Sequence, residues 1–289
     1  MKSKMHIILV LFMIISLFSC NQKEYISDMN IIFLHHSTGN NIWVGGKNSI
    51  FEKAVRRVSS RLANFISAKA ALPALFEKYN KKFNKNYLIN EIVFPKAVPY
   101  GWNNYPYDYY NIWVKNAGEY PFMEEPTLEM LTRDYQVIIF KHCFPGSNIQ
   151  ADQSLADINS DLKTISNYKL QYSALRDKLH QFPDTKFILF TGASQVKSNI
   201  SEDEAKRARE FFGWITKEWD LPNDNIYLWD LYSLQTEGGL YFKDEYAVSQ
   251  NNSHPNENFA GMAVKLLFNR IIDIIENEGN RTQLTGREL

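Results

Sequence analysis

This sequence predicts a three-layer α/β domain built on a mostly parallel sheet, and two observations lead there. Short apolar runs recur along the chain: "NIIFLH" near 30–35, "LINEIVF" near 88–94, "QVIIFK" near 136–141, "KFILFT" near 186–191 and "NIYLWD" near 225–230. Most are nearly continuous rather than alternating, the pattern of strands covered on both faces. Between them lie longer stretches with three- and four-residue apolar spacing, the period of amphipathic helices. Strands alternating with helices build parallel sheets with right-handed crossovers and helices on both faces.

The elements follow in order. "MKSKMH" is a short basic start, "IILVLFMIISLF" is an apolar run too short to span a bilayer comfortably, and Ser19 and Cys20 follow it. Leu17, Phe18, Ser19 and Cys20 resemble the lipobox of bacterial lipoproteins, in which the leader is cut before a cysteine that then carries a diacylglyceryl group. That resemblance implies a signal peptide over 1–19, lipidation at Cys20, and an exported chain held at a bacterial membrane by its lipid alone. Residues 20–29 read as a tether, 30–278 as the α/β domain and 279–289 as a frayed tail. Of the chain's 2 cysteines, lipidation would consume Cys20, leaving Cys143 without a disulfide partner.

Helical patterns occupy the intervals. The stretch "SIFEKAVRRVSSRLANFISAKAALPALFEKY" is interrupted by Pro73, which breaks or kinks a helix interior. "DINSDLKTISNYKLQYSALRDKLHQF" and "SEDEAKRAREFFGWITKEW" are clearer, and the second opens on a serine and an acidic first turn suited to capping. "ENFAGMAVKLLFNRIIDIIENEG" supplies the last helix. The implied arrangement is flavodoxin-like, and in such sheets ligands bind at the carboxyl ends of the strands.

Composition narrows the function. The chain has 289 residues, with Lys plus Arg at 32 and Asp plus Glu at 32, so there is no net charge to favour nucleic acid. Polar residues collect after the strands: "HHSTG" after the first, "PKAVPYGWNNYPYDYYNIW" after the second, "HCFPGSN" after the third, "GASQVKS" after the fourth, and "SQNNSHPNENFAG" before the final helix. A serine after the first strand and a histidine before the last helix can meet at one rim of a doubly wound sheet. A serine hydroxyl is a weak nucleophile until a base takes its proton, and His254 is placed to be that base for Ser37.

On these segments the chain resembles the SGNH hydrolase superfamily of GDSL-type esterases, in which the nucleophile follows the first strand and a D-x-x-H-P segment precedes the last helix. The resemblance implies Ser37 as nucleophile and His254 as base. It implies oxyanion donors at the Ser37 N–H, Gly101 and Asn148, with Asn103 or Asn104 as substitutes for the glycine. His35, His36 and Ser37 replace the G-D-S triplet, and Asn251 stands where the aspartate is expected. Asn251 would orient the imidazole without stabilising its charged form, and Asp244 or Glu245 is the alternative. One of His35 and His36 should face the site, since neighbours on a strand point to opposite sides.

Other chemistries fit less well. His36, His142, His254 and Asp230 are acceptable zinc ligands, but no H-E-x-x-H or paired-cysteine spacing accompanies them, and neither a metal nor a cofactor is expected. Ser194 in "TGASQV" lacks the second glycine of a nucleophile elbow. The tract "YGWNNYPYDYYNIW" mixes planar rings with amides, which suits either a sugar face or a core closed over the sheet. Ester hydrolysis on an acylated small molecule or glycan is therefore the leading expectation, with removal of O-acetyl from a carbohydrate as its finer form. A non-catalytic glycan-binding lipoprotein of the same fold and an O-acyltransferase are its rivals.

Overall fold

The computed structural model describes residues 27–46, 70–153 and 155–289. The leader, Cys20, the tether up to residue 26 and the helical pattern over 49–69 lie outside the described residues.

The first strand, β1 (Met29–His35), runs into α1 (Ser37–Val44); after the gap come α2 (Ala71–Phe83) and β2 (Tyr87–Val93). Next are α3 (Pro106–Tyr109), α4 (Leu128–Asp134), β3 (Val137–Phe140), α5 (Ile165–Leu179) and β4 (Lys186–Phe190). The chain closes with α6 (Glu202–Trp214), β5 (Ile226–Trp229), α7 (Leu231–Thr236), the hairpin β6 (Ala247–Ser249) and β7 (Asn252–Pro255), and α8 (Glu257–Asn277). Among the described residues the main sheet has the order β2-β1-β3-β4-β5, and every pairing in it is parallel. Helices cover both of its faces, so the expected three-layer α/β class is the observed one.

Alternation along the strands builds two cores. Ile31, Phe33, Val137, Ile139, Ile188 and Phe190 point to the face that also holds Ile42, Leu72, Phe259 and Leu267 from α1, α2 and α8. Ile32, Leu34, Ile138, Phe140, Phe187 and Leu189 point the other way, onto Tyr168, Tyr172, Phe211 and Trp219. Successive strand residues face opposite sides, so one apolar run feeds both layers. Each such side chain, fully buried, contributes about 1.5–3 kcal/mol. The edge strand β2 is the exception, with Leu88, Ile92 and Val93 exposed.

The strand order places the site. From β1 the chain goes to β2 on one side and returns to β3 on the other, and the crevice at such a reversal opens at the carboxyl end of the central strand. Here β1 gives way to α1, with His36 as an extended N-cap and Ser37 as the first helical residue.

Some local readings shift. Pro73 falls in the first turn of α2, where no intrahelical N–H is required, so it starts this helix instead of kinking it. The helix expected from residue 157 begins at Ile165, where Thr164 accepts from the Asn167 N–H and caps it. The tail is held rather than frayed. Asp273 accepts from the Arg281 and Thr282 N–H groups, Arg270 donates to the Gly279 carbonyl, and the Asp230 N–H donates to Leu284.

Candidate functional site

Ser37 and His254 meet at the rim. The Ser37 hydroxyl donates to Nε2 of His254 over 2.8 Å, and His254 Nδ1–H donates to the side-chain oxygen of Asn252 over 2.7 Å. Because an amide oxygen can only accept, the proton sits on Nδ1 and the lone pair of Nε2 faces the serine. The Phe144 ring stands edge-on to the imidazole at 5.0 Å and backs it. Ser37 itself is exposed.

The orienting residue is Asn252, not Asn251. The segment before α8 forms a hairpin, with Gln250 and Asn251 at its turn. In an extended strand residues two apart share a face, so Asn252 lies alongside His254 while Ser253 points inward. Ser253 accepts from the Val196 N–H and from Asn199. Asn251 is exposed, and its carbonyl accepts from Asn199. Asp244 and Glu245 are exposed, and neither replaces Asn252 at Nδ1.

The N-terminus of α1 supplies donors. The first intrahelical bond runs from the Asn40 N–H to the His36 carbonyl, so the N–H groups of Ser37, Thr38 and Gly39 have no carbonyl behind them within the helix. Together with the helix dipole they favour negative charge beside the serine oxygen. Gly39 is needed for this close approach: a Cβ there would lie 2.3 Å from the Cβ of His35.

The other residues expected at the oxyanion each have partners of their own. The Gly101 N–H donates to the Ala97 carbonyl over 2.6 Å. The Asn103 N–H donates to Asp108 over 2.7 Å, and its side chain to the Gly101 carbonyl over 3.3 Å. Asn104 is buried and bonds the Phe94 carbonyl. The side-chain oxygen of Asn148 accepts from Gln195 over 2.7 Å. These residues shape the loops around the rim.

The remaining histidines divide as adjacent positions should. His35 is buried, with Nε2 2.6 Å from Glu91 and Nδ1 3.1 Å from the His36 carbonyl. His36 is half-buried and donates from Nε2 to the Pro95 carbonyl, tying α1 to the loop after β2. Burial lowers its basicity most; the bond to Pro95 opposes this, and the charge of Lys141 adds to the lowering. His142 is enclosed by Tyr109 and Tyr172, and burial, then Lys141, pushes its pKa down to about 3. Asp230 caps α7 through the Ser233 N–H and accepts from Thr191, so the four residues weighed as zinc ligands do not converge. Ser194 is buried against Gln235.

His254 is less basic than an ordinary histidine, first through burial and second through Lys141. It is therefore neutral near pH 7, the form a general base requires.

The aromatic tract splits in two. Tyr105, Tyr109 and Trp113 belong to the core, whereas Tyr100 and Trp102 are half-buried at the surface beside Phe122. Ring centroids there are 6.5 Å apart for Tyr100–Trp102 and 6.4 Å for Trp102–Phe122.

Fold and site together define a doubly wound α/β protein with a serine–histidine pair at the carboxyl end of β1, an interior strand of its sheet. No protein-family model matches the chain, and no curated protein matches it. A solved carbohydrate esterase, whose active site is described as displaying divergent catalytic and non-catalytic binding functions, is similar over 86% of this chain at 14% identity and a TM-score of 0.38. The match spans 65% of that esterase's length, and at that TM-score it carries no weight for function.

Proposed function

We propose that this protein is a serine esterase in which Ser37 is the nucleophile and His254 the base. The observation that carries this reading is the 2.8 Å contact between Ser37 Oγ and a His254 whose other nitrogen is anchored on Asn252. Ser37 Oγ attacks an ester carbonyl while His254 Nε2 takes its proton, and the oxyanion forms against the free N–H groups of α1. Collapse expels the alcohol, which leaves with the proton from His254. Water, deprotonated by the same nitrogen, then releases the acid and restores Ser37.

The substrate proposed is an acylated carbohydrate. The half-buried rings of Tyr100, Trp102 and Phe122 support it, because they sit on or against the loop that His36 holds at Pro95. The basic start, apolar run and "LFSC" segment support an exported chain anchored at Cys20, with the membrane engaged through the lipid alone. An amide at the orienting place favours a second reading, a glycan-binding protein that does not turn over.

A fluorophosphonate probe separates the two. Labelling mapped to Ser37, slowed by a factor on the order of 10³ or more in His254→Ala, is the expected result. Folded protein that neither takes the label nor cleaves small acetyl esters would overturn the esterase reading in favour of binding.

A further inference from the structure

Strand β3 continues into a residue that a sheet interior rejects. Lys141 is 0% exposed, and an ammonium taken from water costs several kcal/mol, on the order of magnitude seen for buried ions, unless it is paired. Among the described residues the one hydrogen bond of its Nζ goes to the Cys143 thiol at 3.3 Å, and no carboxylate forms an ion pair with it. Other lysines of the fold find acids, as Lys178 finds Glu129.

Its position follows from register. Leu34 pairs with Phe140, so one residue on Lys141 runs beside His35, where β1 ends. Its stem passes under the first turn of α1, with Cδ 3.1 Å from the place a Gly39 Cβ would take. The titratable groups around this cation come from four elements. They are His35 from β1, His36 as the N-cap of α1, His142 and Cys143 beyond β3, and His254 from β7. The nearby carboxylate, Glu91 on β2, is bonded to His35 instead.

We infer that Lys141 is a positioning residue of the proposed reaction, its buried cation, without a carboxylate partner among the described residues, being balanced when negative charge develops on the tetrahedral intermediate at Ser37. This rests on the esterase reading above. A fixed charge in a water-poor site needs no reorganisation when the oxyanion forms, and its effect there exceeds its effect in water. Its repulsion also reaches His254, second to burial, and holds that base in its neutral form.

The test uses the folded domain with Lys141→Met, which keeps the stem and removes the charge, and Cys143→Asp, which places an acid beside the ammonium. Two readouts are taken: the pH profile of fluorophosphonate labelling at Ser37, and the imidazole titration of His254 by NMR. Both variants should label at least about tenfold more slowly while folded. In both, the acid limb of the profile and the His254 midpoint should move to higher pH. A merely structural lysine would alter melting temperature and leave the plateau rate of labelling, above the His254 midpoint, in place. Labelled wild type with a limb and rate unchanged in either folded variant sinks this inference alone. Wild type that neither labels nor cleaves small acetyl esters sinks the esterase reading, and this inference with it.

Discussion

His35 and His180 each lean on a carboxylate, Glu91 at 2.6 Å and Asp224 at 2.9 Å, whereas His254 leans on the amide of Asn252 at 2.7 Å. The fold therefore builds carboxylate–imidazole pairs readily, one of them beside the serine turn, yet gives the ring that touches the serine an amide. A carboxylate favours the charged ring, while an amide oxygen fixes tautomer and orientation and leaves the charge unrewarded. At the rim the chain orients its base without helping it hold a second proton, and adds a buried lysine that discourages one. In the proposed reaction the negative charge this site favours lies on the substrate side of the serine.

That contrast can be broken at Gly39, where the carboxylate-paired histidine and the serine turn press together. Gly39→Ala should cost about 3 kcal/mol of stability, since the new methyl overlaps His35, and chemical denaturation measures it. Removing the orienter is the next largest effect: Asn252→Ala should slow Ser37 labelling by roughly 10–100-fold with the fold intact.

Asn252→Asp sharpens the comparison by giving His254 the partner that His35 has. In the native protein the basicity of His254 is lowered, so the midpoint of the acid fall in labelling should lie below pH 6.5. A carboxylate at Nδ1 raises that value, so the drop should begin at higher pH, while the plateau above it gains from a better-stabilised imidazolium. Asn251→Ala is the smallest change. It alters an exposed hairpin turn, and labelling should stay within about twofold and stability within about 0.5 kcal/mol.

The sheet was legible because its strands are short apolar runs whose alternate residues feed two cores. The meeting of Ser37 and His254 was legible from their places after the first strand and before the last helix. The hairpin was not, since "AVSQNNSHP" is short and polar, and without it the orienter is counted three residues back instead of two. Lys141 escaped notice because lysine usually reads as surface. Its signal was there: two residues after Ile139, it points to the face that Ile139 fills. The tail reads as polar and loose, and only the buried Arg270 and Asp273 of α8 reveal what holds it.

The hydroxyl and the ring that it touches are 217 residues apart, one in the first turn after the first strand, the other just before the last helix. A chain still emerging from the ribosome carries the serine long before it carries the histidine, and on the esterase reading it would be inert toward esters until the segment holding His254 had been made. Activity at this rim would then arrive in a single step, and its appearance would time the docking of the segment before the last helix onto the first strand's end.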